Sequence, residues 1–281
     1  MTDANAAQAE YWDGVTAGWL AAERHFDLVA TVFGDLAMDR LALSPGQRVL
    51  DIGCGSGATT LEIARHLGRN GSAMGVDIAP GMIESARTRV DDPDLSVTFA
   101  VADAQTDDLD GSFDRVFSRF GVMFFADPVV AFGNIGTAVA PGGRLAFVCW
   151  QDLVRNEWMF VPGAAAIGVT GEFPPMPGPG EPGPFSMTDP VAVTTMLTAA
   201  GWQDVVVEPV EHTIDLPEDE VASIVAMARS IGPVRMALQT ADDETSAAII
   251  EAVVAALRDM VVDGRLRLHA AVNLVTATWP G

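Results

Sequence analysis

Residues 49–60 read VLDIGCGSGATT. Gly53, Gly55 and Gly57 follow an apolar run, and Asp51 stands two residues before the first of them. Backbone without Cβ atoms turns sharply and lets a ligand approach closely. The spacing Gly53-x-Gly55-x-x-Ala58 also fits a loose dinucleotide-binding fingerprint. A carboxylate at the strand end opposes an anionic pyrophosphate, however, and favours a ligand that carries an ammonium and a sulfonium. Asp77 ends the run GVD, where a carboxylate can accept both hydroxyls of a ribose. Asp103, in VADAQ, and the N–H of Ala104 suit the amino group and ring nitrogen of an adenine.

Those residues need strands that end at one edge. The texture from Arg48 supplies them. Strand-like runs cover 48–53, 73–77, 97–103, 113–118 and 144–150, and helical stretches cover 58–67, 80–90 and 128–139. Strands alternating with amphipathic helices imply a parallel sheet covered on both faces. Right-handed crossovers then bring every strand's C-terminal end to one edge, where ligands bind. Ahead of this unit, residues 5–42 carry apolar residues at helical spacing. After Trp150, the segment centred on PPMPGPGEPGP reads as a lid insertion spanning 153–188. Asp189-Pro190 opens a helix to Ala200. A strand over 204–216 carries Pro209, which suits an edge or a bulge. Helices over 218–230 and 244–262 and a terminal strand over 267–279 complete the chain. The domain reading is a helical cap at 1–44, a ligand-binding domain at 45–152 and 189–281, and the lid between.

The formal charge of −22 repels phosphate backbones and anionic head groups, so neither nucleic acid nor a membrane surface is expected as a partner. Two cysteines, Cys54 and Cys149, make neither a disulfide framework nor a Cys-rich metal site, and no metal is expected. The N-terminus lacks the basic and apolar regions of a signal peptide, and no apolar run reaches about 18 residues. The expected location is the cytoplasm.

The chain resembles the class I S-adenosylmethionine-dependent methyltransferases, more narrowly the small-molecule branch of the ubiquinone and menaquinone type. The matching pieces are VLDIGCGSG, GVDIAPGMIESAR, VADAQ, FDRVFSRFGVMFF and PGGRLAFVCW, in order over 48–150. The resemblance implies a Rossmann-like α/β fold with a doubly wound seven-stranded sheet, mostly parallel with the last strand antiparallel. It implies S-adenosylmethionine as cofactor and S-adenosylhomocysteine as product. Gly53, Gly55 and Ser56 would wrap the methionine part, with Asp51 near its ammonium. Asp77 would hold the ribose, Ile78 and Met82 would pack on the adenine, and Asp103 and Ala104 would read its edge. The main chain at Arg119 would face the reacting sulfur. Tyr11 resembles an aromatic that closes over the cofactor.

The expected activity is methyl transfer to an O, N or C nucleophile of a small-molecule substrate, by a monomer or homodimer. A hydroxyl or carbon nucleophile also loses a proton. His25, in the leading helix, is the candidate base, although a surface or packing role explains it better. His66, His212 and His269 have no evident role. Gln151, Asn156 and Trp158 come after the fifth strand at the rim, where they could orient a substrate. Trp150 and Trp158 suit packing as well as they suit such a contact. Two other readings stay open. One is a protein that binds S-adenosylmethionine without transferring its methyl group. The other is an NAD-dependent oxidoreductase, which shares the need for Asp77 but gives Asp51 no role.

Overall fold

The computed structural model describes residues 3–173, 177 and 181–281. A helix, α1 (Asp3–Leu41), leads into five parallel strands: β1 (Arg48–Ile52), β2 (Ser72–Asp77), β3 (Val97–Val101), β4 (Phe113–Arg119) and β5 (Val139–Trp150). The helices α2 (Ala58–Leu67), α3 (Pro80–Thr88) and α4 (Pro128–Thr137) cross between them. Then come α5 (Glu157–Thr170), α6 (Pro190–Ala199), β6 (Gln203–Pro217), α7 (Val221–Ser230), α8 (Gly232–Thr240), α9 (Asp243–Asp259), β7 (Val261–Val262) and β8 (Arg265–Thr278).

The strand order is β3-β2-β1-β4-β5-β8-β6, with β7 paired to β8 off this path. Strand β8 runs antiparallel to both β5 and β6. The seven-strand path matches the expectation, and the two-residue β7 adds an eighth strand that no sequence signal announced. Pro209 lies on β6, the edge strand, where a missing donor costs least. Chain order reverses between β1 and β4, which opens the crevice at the switch point above their C-terminal ends. Helices on both faces explain why these strands read as near-continuous apolar runs: four of the five β1 residues are buried. Asp127 and Asp189 cap α4 and α6 from the preceding position, accepting from Val130 N at 3.1 Å and Val191 N at 2.8 Å, with a proline at the first helical position of each.

Helix α1 is 39 residues long, about 58 Å at 1.5 Å per residue. Its C-terminal half is core: Phe26, Val29, Ala30, Phe33, Ala37 and Leu41 are buried at helical spacing. Arg115 Nε of β4 donates to Leu41 O at 3.1 Å and pins the helix end. The expected cap at 1–44 is therefore one continuous helix whose second half belongs to the sheet's own core.

Much of the expected lid over 153–188 is also built into the body. Helix α5 carries Pro162 in its interior and buries Trp158, Met159, Pro162, Gly163 and Ala166. Proline and glycine read as loop signals, but the burial of this face overrides their poor helix propensity. Further on, Gly183 N and Ser186 Oγ donate to Met123 O at 3.0 and 2.7 Å, and Met187 is buried. The centre of the stretch, residues 174–176 and 178–180, lies outside the described residues. Helix α8 is a further addition to the elements expected from sequence, because Gly232-Pro233 looks like a turn although proline equally starts helices. Among the described residues no single helix is long and apolar enough to cross a membrane; one bent pair, Glu218–Ser230 with Gly232–Thr240, passes by length and composition.

Phe33 of α1 is fully buried against the sheet's core. Phe33→Ala should lower stability by about 3–5 kcal/mol, measured by urea unfolding. An unchanged midpoint would mean that α1 is not part of the core.

Candidate cofactor cleft and active site

The glycine turn leaves β1 at its C-terminal end. Gly53 N and Cys54 N donate to Val76 O at 2.9 and 3.0 Å, tying the turn to β2. Gly53 has a φ of 66°, and a Cβ there would lie 2.8 Å from the Cα of Gly121, just past β4. No side chain fits at that crossing. Gly55, at φ 54°, instead faces open space: an added Cβ would meet nothing within 4 Å.

Asp51 lies below this turn, only 1% exposed. Its Oδ2 accepts from Thr59 Oγ1 and Thr60 Oγ1, both at 2.7 Å, while its buried Oδ1 has no partner. Burial pushes its carboxyl up to about 6; the two threonine hydroxyls and Arg119 oppose the rise, and Asp77 adds to it. Asp77, at the end of β2, accepts from Gly55 N and Ala79 N, each at 2.9 Å. Burial raises its carboxyl too, against those N–H donors. Asp103 lies just past β3 and is 3% exposed. Its Oδ1 accepts from Gln105 N at 3.0 Å, and its Oδ2 accepts from Thr106 Oγ1 at 2.8 Å and Asn5 Nδ2 at 2.7 Å. Ala104 and Met82 are buried, and Ile78 is half-buried. The sheet thus brings Asp51, Asp77, Asp103 and the glycine turn to one edge, as the sequence implied.

The N-terminal part of α1 lies across that edge. Besides Asn5, Glu23 reaches the turn, accepting from Ser56 Oγ and pairing with Arg89. One turn on, Asp27 pairs with Arg119 at 2.9 Å. Burial raises the Asp27 carboxyl, Arg119 opposes the rise, and Glu23 adds to it. Sequence reasoning missed Asn5, Glu23 and Asp27. The available signal was two carboxylates four apart, on the helix face that carries Phe26 and Ala30. His25 is half-buried, with its Nδ1 enclosed and unpartnered. Tyr11 points outward, 52% exposed, whereas its neighbour Trp12 packs edge-on against Phe124 at 4.8 Å. A single helical step separates the outward ring from the inward one.

At the ends of β4 and β5, Phe120 stacks on Trp150 with centroids 3.9 Å apart. Trp158 approaches Trp150 at 5.1 Å, and both tryptophans are buried. Asn156 does not present itself to a substrate. Its Nδ2 donates to the carbonyls of Gln151, Asp152 and Ala271 at 3.1–3.2 Å, and its Oδ1 accepts from Ala271 N at 3.0 Å. Gln151 Nε2 likewise donates to Val272 O at 2.8 Å. Both amides bond the rim to β8; with its oxygen and nitrogen both taken, Asn156 is corrected from a substrate contact to a structural one. Among the described residues, no group of three or more His, Cys, Asp or Glu side chains could hold a metal ion.

These geometries set stability in two places. Asn156→Leu should cost about 2–4 kcal/mol by leaving backbone groups unpaired, read from urea midpoints. For Asp51, the folded chain holds a proton between the ordinary carboxylate value and about 6 that the unfolded chain releases. Its contribution therefore falls as pH rises through that window. Asp51→Asn should gain on the parent chain from pH 4 upward, levelling at about 3 kcal/mol above pH 6. A constant difference across pH would contradict the burial account.

Residues 49–143 match the family model described as "Methyltransferase domain". Aklanonic acid methyltransferase DauC of Streptomyces sp. strain C5 is 42% identical over 104 residues, covering 36% of this chain and 47% of that protein. The 2-methyl-6-phytyl-1,4-hydroquinone methyltransferase of Synechocystis sp. is 37% identical over 111 residues, covering 39% of this chain and 34% of that one. The chain thus spans less than half the length of these curated relatives. Among solved structures, Haemonchus contortus phosphoethanolamine N-methyltransferase 2 in complex with S-adenosyl-L-methionine aligns at TM-score 0.53 and 20% identity, over 88% of this chain and 52% of that one. The Bacillus YcgJ protein aligns at TM-score 0.56 and 18% identity, over 88% and 97%. At such identities the structural likeness speaks to the fold, and the fold agrees with the methyltransferase domain matched at residues 49–143.

Proposed function

We propose that the chain transfers a methyl group from S-adenosylmethionine to an oxygen, nitrogen or carbon of a small molecule. The observation that carries this reading is the unpartnered Asp51 Oδ1, buried beneath a turn whose Gly55 faces open space. A buried carboxylate with a vacant acceptor favours a cationic ligand and disfavours a pyrophosphate. In this reading Asp51 receives the ammonium, and Gly53, Gly55 and Ser56 hold the methionine part. Asp77 keeps lone pairs free beyond its two N–H donors and takes the ribose hydroxyls. Met82 and Ile78 flank the adenine. Asp103 and Ala104 read its edge, with the Asn5 amide standing where the adenine amino group would donate. The Arg119 main chain faces the sulfur.

The cofactor supplies an activated methyl group on a sulfonium. The chain's own residues align the acceptor at about 3–3.5 Å and exclude water. Helix α1 provides the cover. The part of α1 before Phe26 is tied to the cleft by polar contacts at Asn5 and Glu23, which a ligand can replace. For an acceptor that must lose a proton, His25 is the candidate base. It lies on this cover with its Nδ1 unpartnered.

Asp77→Ala should weaken S-adenosylmethionine binding by roughly 1–3 kcal/mol in calorimetric titration; unchanged affinity would remove the ribose assignment. The affinity should also fall with pH below about 6, because protonation of Asp51 removes the charge that receives the ammonium. Asp51→Asn should bind more weakly at pH 7 and flatten this profile. Turnover is tested by S-adenosylhomocysteine release across a panel of hydroxylated, amino and carbon acceptors. Tight cofactor binding with no release from any acceptor class would favour a role without methyl transfer.

A further inference from the structure

Phe26 of α1 stands edge-on to three rings at once, with centroids 6.0 Å from Phe120, 6.4 Å from Trp150 and 6.0 Å from Trp158. Phe120 and Trp150 are stacked 8° from parallel, and Trp158 leans on Trp150 at 52°. These three rings come from the ends of β4 and β5 and the start of α5, and they form a box at the switch-point edge. A ring from the covering helix fills it.

Two observations set this box apart from ordinary core. Phe120 holds a φ of 65°, a costly conformation for a bulky residue and one that clusters at ligand sites. It precedes Gly121, whose Cα abuts Gly53 of the cofactor turn. In addition, the indole N–H of Trp158 is buried and has no acceptor, although the residue is only 2% exposed. Buried tryptophan N–H groups ordinarily find a partner.

We propose that Phe26 is a placeholder and that the box is the acceptor site, its occupant a flat, uncharged aromatic molecule bearing an oxygen that accepts from Trp158 Nε1. This rests on the methyl-transfer reading above. Phe26 heads the buried stripe of α1, where the polar N-terminal part ends; when that part lifts, the Phe26 side chain swings aside and the acceptor ring takes its place between the walls, beside the end of β4. The charge pattern argues against a phosphorylated acceptor. The neighbouring cations, Arg89 and Arg119, are already paired with Glu23 and Asp27, and the chain as a whole carries −22.

The test is calorimetric titration of the full chain, first with S-adenosylhomocysteine and then, at saturation, with 1-naphthol or phosphoethanolamine. Binding of 1-naphthol is expected with a Kd on the order of 0.1 mM, with no heat from phosphoethanolamine. Trp158→Phe keeps an aromatic ring, smaller than the indole, and removes the donor. It should weaken 1-naphthol about fivefold and leave S-adenosylhomocysteine binding unchanged. Phe26→Ala should tighten 1-naphthol by vacating the box; because that truncation also leaves a void in the core, Trp158→Phe, which keeps an aromatic ring in place, is the deciding variant. The proposal is overturned if S-adenosylhomocysteine binds but 1-naphthol does not, if Trp158→Phe has no effect on 1-naphthol, or if phosphoethanolamine binds instead. Trp158-dependent binding of 1-naphthol by a chain that fails to bind S-adenosylhomocysteine would count against the methyl-transfer reading and leave the box standing.

Discussion

A carboxylate buried with half its acceptor capacity empty governs this edge of the sheet. Asp51 is held from one side by Thr59 and Thr60, which belong to the first turn of α2. Its charged form is destabilised by burial, and among the described residues no side chain completes it. Such a group persists when something outside the fold completes it. The glycine turn above is shaped accordingly. Gly53 passes against Gly121 with no room for a side chain, and Gly55 leaves its outer side bare. The crossing is possible only because β1 and β4 are neighbours at the point where chain order reverses.

The same edge explains the divided character of α1. From Phe26 onward the helix buries an apolar stripe on the sheet and contributes to the core. Before that point its contacts with the cleft are largely polar or aromatic edge contacts: Asn5 to Asp103, Glu23 to Ser56 and Arg89, and Trp12 to Phe124. Apolar burial holds the second half in place, while exchangeable hydrogen bonds and ion pairs hold the first. That asymmetry fits the proposed role of α1 as a cover, since polar contacts can be traded for ligand contacts at small net cost.

The parallel half of the sheet was legible because its central strands β1, β4 and β5 are largely buried on both faces and each helix on one, so the periodicities separate cleanly. The three aspartates were legible because each sits at or near a strand's C-terminal end, where topology alone brings them together. The chain beyond β5 was harder to read. Pro162, Gly163 and Gly168 suggest a loop, yet they lie in α5, and a Cβ on Gly163 would come within 3.3 Å of Pro233. The bare glycine there permits close packing. Asn156 had the right place and chemistry for a substrate contact, but its side chain is consumed by backbone groups of β8 and of the rim. Partners that distant in sequence leave no local trace. Tyr11 was the aromatic suggested by resemblance, whereas helix phase turns Trp12 inward in its place.

The central claim is that the orphaned Asp51 and the open glycine turn select a cationic nucleoside ligand over an anionic dinucleotide. Calorimetric titration of the intact chain with S-adenosylmethionine, S-adenosylhomocysteine and NAD tests it directly. The first two are expected to bind in the micromolar range, and NAD not at all. Binding of NAD without either sulfur nucleoside would contradict it, because a pyrophosphate would then be accommodated beside a buried carboxylate.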